Sequence, residues 1–94
     1  MALLLALDAG TTGVRALAVD ETGAVRGISY REFTQHFPQP GWVEHDLDEI
    51  WERIQVVIAE LVATLDEPIA AIGITNQRET VAAWSRSTSQ PLHR

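Results

Sequence analysis

The 94-residue sequence has no cysteine. A disulfide framework and a thiolate metal site are therefore excluded, and a reducing cytoplasmic location is the default expectation. Basic residues are few. Seven Lys and Arg stand against thirteen Asp and Glu, giving a formal net charge of -6. Nucleic-acid backbones are gripped by clustered cations, and the seven here are scattered, so a nucleic-acid binder is not expected. Long apolar runs are also missing, and nothing approaches the ~20 residues that a membrane span needs. Met1 to Leu7 has the apolar look of a signal-peptide core, but it lacks a basic leader and Asp8 interrupts it. There is no internal repeat and no low-complexity tract. A chain of this length forms at most one domain, and the fraction of surface that it buries on folding is modest.

The apolar residues present are strongly patterned. Leu3 to Leu7 is a continuous apolar run bounded by turn residues, which suits a strand buried on both faces. Ala9 to Gly13 is short enough for a hairpin turn into a second strand, Val14 to Asp20, antiparallel to the first. After Glu21-Thr22-Gly23, a third strand is expected over Ala24 to Phe33, with Val25, Ile28, Tyr30 and Phe33 as its apolar residues and Gly27 marking a bulge. Thr34 to Glu44 holds Pro38, Pro40 and Gly41, so an ordered loop is expected there, pinned by Trp42. Asp46 stands three residues before Glu49, the spacing of a capping box, and predicts a helix start. Leu47, Ile50, Trp51, Ile54, Val57, Ile58, Leu61 and Leu65 recur at three- and four-residue steps, giving one apolar, core-facing stripe that ends before Pro68. Trp51 and Trp84 read as packing residues.

Ile69 to Ile74 is small and apolar throughout, the pattern of a central parallel strand covered on both sides, with Gly73 allowing close approach. Thr75 to Glu79 is abruptly polar, a fifth strand is expected over Thr80 to Trp84, and Ser85 to Arg94 reads as a polar, weakly ordered end. The order strand, strand, strand, helix, strand, strand is an α/β arrangement. Its sheet is mixed, with antiparallel β1-β2-β3, a helical crossover, then β4-β5. It is the ribonuclease H-like arrangement of the actin-like ATPase superfamily, here as a partial domain and by analogy of fold alone.

Two short segments carry chemistry. Asp8 ends its strand at a turn, where a carboxylate can hold Mg²⁺ directly or through water. Gly10 lacks the Cβ that would block a phosphate. Turn N–H groups and the Thr11 and Thr12 hydroxyls are donors for phosphoryl oxygens, and Arg15 adds positive charge. This is not a Walker loop, because Gly-Lys-Thr is missing and a strand follows rather than a helix. The same residues would equally make a plain hairpin. Arg78 and Glu79 follow a predicted buried strand at its C-terminal end, where open α/β sheets place ligands. An adjacent guanidinium and carboxylate can donate to one polyol oxygen and accept from another. The competing reading is a solvated ion pair. His36, His45 and His93 have no metal-ligand spacing to one another or to carboxylates.

Asp8-Ala9-Gly10-Thr11-Thr12 with Arg15, the block from Phe33 to Asp46, and Ile72-Gly73-Ile74-Thr75-Asn76-Gln77-Arg78-Glu79-Thr80 together resemble the opening of the FGGY carbohydrate kinases, and within them the glycerol-specific branch. The resemblance spans essentially the whole chain. It implies that residues 1–94 are the N-terminal part of the family's first domain, without the second, C-terminal domain. It implies ATP-dependent phosphorylation of glycerol to sn-glycerol 3-phosphate, with ATP and Mg²⁺. By this resemblance Gly10, Thr11, Thr12, Gly13 and Arg15 match nucleotide contacts, Thr11 also matches a product-phosphate contact, Arg78 and Glu79 match glycerol ligands, and Asp8 matches the metal-side carboxylate. The family's general base is an aspartate expected further along. The isolated stretch is therefore expected to be inactive and, with open strand edges, poorly soluble. An oligomer of the full-length protein is left open. Ala9 stands where the family usually has glutamine, and Gly13 and Val14 stand where it has serines. The Gly13 change keeps a backbone donor and removes a hydroxyl. The alternatives are a kinase of the same family acting on a pentose, gluconate or erythritol, a stand-alone phosphate- or nucleotide-binding module, or a remnant without a ligand.

Overall fold

The computed structural model describes residues 2–94. Its elements run β1 (Leu3–Ala9), β2 (Gly13–Val19), β3 (Val25–Glu32), α1 (Leu47–Val62) and β4 (Ile69–Asn76). They form one four-stranded sheet of order β3-β2-β1-β4. The first three strands are an antiparallel meander, and β4 returns parallel to β1 through the helical crossover. The β2–β3 register shifts between Ala18 and Val19, opposite Gly27 and Val25, so the expected bulge is present. A Cβ on Gly27 would lie 2.8 Å from Leu61 Cδ1, so the glycine is also what lets α1 settle on β3.

The core lies on one face of the sheet. Leu3, Leu5 and Leu7 of β1 alternate with exposed Leu4 and Ala6, and Val14, Ala16 and Ala18 of β2 continue the buried side. Val57 and Leu61 of α1 cover them, with Ile50, Ile54, Ile58, Leu65 and Ile69 packed around the edge. Apart from Leu47 and Trp51, the apolar stripe of the sequence is thus the core face of the helix.

Asp46 caps α1, its Oδ1 accepting from Asp48 N and Glu49 N. The reciprocal half of a capping box is not made. Glu49 instead accepts from the Thr34 N–H at 2.6 Å, which ties the helix to the end of the meander and lowers the Glu49 pKa. The helix ends at Val62, short of the expected Leu65. Thr64 explains the early stop, because its N–H and its hydroxyl both donate to Leu61 O, and Leu65 N turns back to Val62 O. The 34–44 loop is ordered by paired backbone hydrogen bonds between His36 and Glu44.

Several expectations are corrected. β4 is an edge strand rather than a covered one: Ile72 and Ile74 are 57% and 72% exposed, and a Cβ on Gly73 would meet nothing within 4 Å. α1 lies over β2 and β3, so beyond Ile69 the β4 residues stay exposed. β1 is likewise buried on one face only. No fifth strand forms over Thr80 to Trp84 among the described residues. Glu79 takes φ 59, which turns the backbone out of the extended region, and Trp84 forms an isolated bridge with Pro91. Residues 83–92 instead close on themselves through Ser85 N to Gln90 O and Leu92 N to Ala83 O. Trp42 does not pin its loop and Trp51 and Trp84 are not core residues, since all three are more than half exposed. On β3, Val25 and Ile28 face solvent while Phe33, just past its end, is buried.

Candidate functional site

Because β1 and β4 are parallel neighbours, their C-terminal ends emerge side by side, with Asp8 opposite Thr75 and Ala9 opposite Asn76. Gln77 N donates to Ala9 O at 3.0 Å, extending that contact into the following turns. The topology therefore places the 10–12 turn next to the 77–80 turn, although they are far apart in sequence. A cavity of about 430 Å³ opens between them. Thr11 lines it together with Gln77, Arg78, Glu79 and Thr80, and with Glu44 and His45.

The β1–β2 turn is closed by Gly10 N donating to Gly13 O at 3.0 Å, so one of the turn's N–H groups is already used. A Cβ on Gly10 would lie 3.3 Å from Gly13 O, which accounts for the glycine by the tightness of the turn. The N–H groups of Thr11 and Thr12 donate to no protein acceptor among the described residues, and both side chains are exposed. These are the donors that a phosphoryl oxygen would find. Of the two residues, Thr11 lines the cavity.

Asp8 and Arg15 are opposed across the β1–β2 pair and, by strand alternation, fall on the face turned away from α1. They are not in the cavity with Thr11, Arg78 and Glu79. The Arg15 guanidinium lies 5.3 Å from the centre of the Tyr30 ring, a cation–π distance. Tyr30, expected only as an apolar residue of its strand, is thus a partner of both Arg15 and the turn. Its hydroxyl is 3.5 Å from Thr12 Oγ1, and a Cβ built on Gly13 would lie 2.5 Å from that hydroxyl and 2.7 Å from Arg31 O. The missing side chain at Gly13 is thus matched by Tyr30 filling the same space. Asp8 stands without a cluster around it, as no group of three or more His, Asp or Glu side chains gathers among the described residues.

His45 is the other residue whose place the sequence did not reveal. It is buried, its ring packs edge-on to Phe33 at 4.8 Å, and it has hydrogen-bond partners on both nitrogens. Nε2 is 2.7 Å from Gln35 Oε1, and Gln35 Nε2 donates to Thr11 O at 3.0 Å. Nδ1 is 3.3 Å from Gln77 Nε2, while Gln77 Oε1 accepts from the Thr80 hydroxyl at 2.8 Å. Burial holds the His45 pKa below its ordinary value. Neighbouring His36 pushes it the same way and Glu49 opposes. In sequence Gln35 and His45 lie more than 20 residues from either turn, so their role depends on the fold.

Residues 3–94 match the FGGY family of carbohydrate kinases, N-terminal domain. The glycerol kinase of Carboxydothermus hydrogenoformans is 54% identical over 93 residues, covering 96% of this chain and 19% of that protein. The glycerol kinase of Trichlorobacter lovleyi is 53% identical over 96 residues, covering 99% and 19%. A crystal structure of Plasmodium falciparum glycerol kinase with ADP superposes with a TM-score of 0.94 at 33% identity, covering 99% of this chain and 19% of that one. The chain thus spans about a fifth of the length of the relatives it matches.

Proposed function

Since this chain belongs to the FGGY family of carbohydrate kinases, we propose that it forms one wall of the active cleft of a glycerol kinase, which moves the γ-phosphoryl group of ATP to glycerol and yields sn-glycerol 3-phosphate and ADP. The observation that carries the reading is the shared cavity, which Thr11 of the phosphate turn lines together with Arg78 and Glu79. Phosphoryl transfer is chiefly a matter of placing donor and acceptor in line and neutralising charge. A cavity with phosphate donors on one side and a guanidinium–carboxylate pair on the other has the polarity for both substrates.

In this reading the Thr11 and Thr12 hydroxyls and N–H groups hold phosphoryl oxygens, and Gly10 and Gly13 shape the tight nucleotide-side turn that presents them. Arg15, positioned by Tyr30, supplies charge to the nucleotide. Arg78 donates to one glycerol oxygen, and Glu79 accepts a hydrogen bond from the neighbouring hydroxyl. Mg²⁺ commonly uses one or two carboxylates together with substrate phosphates rather than a protein cage. The lone Asp8 at the strand end fits that pattern, and bound Mg²⁺ would neutralise phosphate charge there. The general base and the opposite wall are assigned to sequence beyond this stretch. The 94 residues alone are therefore expected not to turn over. No helix among the described residues is long and apolar enough to cross a membrane, and the proposed site of action is the cytoplasm.

The test is a coupled ADP-release assay on the protein expressed at its natural length, comparing glycerol with xylulose, gluconate and erythritol. Glycerol should be the preferred acceptor. Each of R78A and E79A should lower kcat/KM for glycerol about 10- to 100-fold, the range expected for a lost charged hydrogen bond. Preference for another acceptor, or turnover indifferent to both substitutions, would overturn the reading.

A further inference from the structure

We infer that His45 is a positioning residue that fixes the phosphate turn relative to the Arg78–Glu79 turn, through Gln35 on one side and Gln77 on the other. The inference deepens the kinase reading and, for its kinetic consequence, rests on it.

The hydrogen-bond chain runs without a break from Thr11 O through Gln35, the two His45 nitrogens and Gln77 to the Thr80 hydroxyl. Its polarity is set by the ends. Gln35 uses its amide N–H on the Thr11 carbonyl, so its oxygen faces His45 and requires a donor there. Gln77 uses its oxygen on the Thr80 hydroxyl, so its amide N–H faces His45 and requires an acceptor. A neutral imidazole protonated on Nε2 meets both requirements, and a cation meets only one. Burial, which disfavours the charged ring, works in the same direction. The charged groups around it are His36 from the loop and Glu49 from α1, with Glu44, Arg78, Glu79 and Arg94 along the cavity. Two segments, residues 33–35 and Gln77, thus converge on one ring. That ring is braced edge-on by Phe33, whose N–H donates to Thr12 O in the same phosphate turn. Any buried histidine is expected to satisfy both ring nitrogens, so the destination of the bonds is what distinguishes this one. Here the two bonds lead to the two halves of the cavity.

Three substitutions separate the two arms. H45N keeps an acceptor near Nδ1 and loses the Gln35 arm. H45Q keeps a donor near Nε2 and loses the Gln77 arm. H45F keeps the ring shape against Phe33 and loses both. In ¹⁵N NMR of the wild-type protein at its natural length, the ring should be neutral and Nε2-protonated at pH 7. H45N should shift the amide resonances of residues 11–12, H45Q those of residues 77–80, and H45F both. In the kinase assay H45F should lower kcat about 10- to 100-fold while glycerol KM moves less than about threefold, as expected when bound reactants lose alignment rather than affinity. A cationic or Nδ1-protonated wild-type ring, or an H45F protein with both turns and kcat unmoved, would overturn the inference. Should the wild type fail to use glycerol, the function proposed above falls, and the tautomer and the arm-specific shifts still decide the role of His45.

Discussion

Gly13 shows how much a single missing side chain can determine. A methyl group there would collide with Tyr30 and with the Arg31 carbonyl, at 2.5 and 2.7 Å. Gly13→Ala should therefore destabilise the protein by about 1–3 kcal/mol, the usual range for overpacking, read as a shift in urea midpoint. Tyr30→Ala in the same chain should restore only part of that loss, because the backbone carbonyl cannot move aside as a side chain can. Asp20 provides a second residue-scale prediction. Its carboxylate accepts from the Thr22 hydroxyl, which is the largest influence holding its pKa down, against burial. The N–H groups of Thr22 and Ala24 and the Arg26 guanidinium add to it. A carboxyl whose folded pKa lies below its unfolded value stabilises the fold above the unfolded value, about 3.9, and that contribution is lost as pH falls through the folded pKa. Thermal midpoints should fall as pH drops from about 5 to below the unfolded carboxyl value, and Asp20→Asn should be less stable at neutral pH and show a shallower acid decline.

Helix α1 depends on its first turn, because no basic side chain stands in its last turn to offset the dipole. Asp46→Ala removes the acceptor for two N–H groups and should cost about 1 kcal/mol, as N-cap losses commonly do, measured by urea denaturation followed by helical circular dichroism. The elements that could be read from the sequence include the cap at Asp46, the apolar stripe that runs to Leu65, the bulge at Gly27, and the parallel return that Ile69 to Ile74 implies. What could not be read depends on what lies next to an element. Ile72 and Ile74 have the composition of a covered strand, yet α1 sits over β2 and β3 and leaves them open. Thr80 to Trp84 has strand-like residues but follows the left-handed Glu79 and meets no ladder. The site divides in the same way. Thr11 and Arg78-Glu79 stood out as polar breaks after apolar runs, whereas Tyr30 and His45 acquire their roles only from partners brought to them by the fold.

At the scale of the whole molecule, one helix covers one side of a four-stranded sheet, and Leu4, Ile28, Ile72 and Ile74 remain in contact with solvent. Exposed apolar area of this kind marks a surface meant for cover or prone to association. The 94-residue chain alone should enhance the fluorescence of an apolar dye such as ANS and self-associate as its concentration rises, and the protein at its natural length should do neither; analytical ultracentrifugation provides the check. The strand order has a kinetic side as well. β1 and β2 meet across a three-residue gap, while β1 and β4 meet only after the whole meander and helix have been made. Closing a long loop costs entropy before any contact repays it, and non-local pairing slows folding. On a ribosome the meander emerges first and β4 last. Until β4 docks, the open edge of β1 is the surface most exposed to mispairing with another chain, and the cavity does not exist. The time at which β4 finds β1 is thus also the time at which the site is assembled.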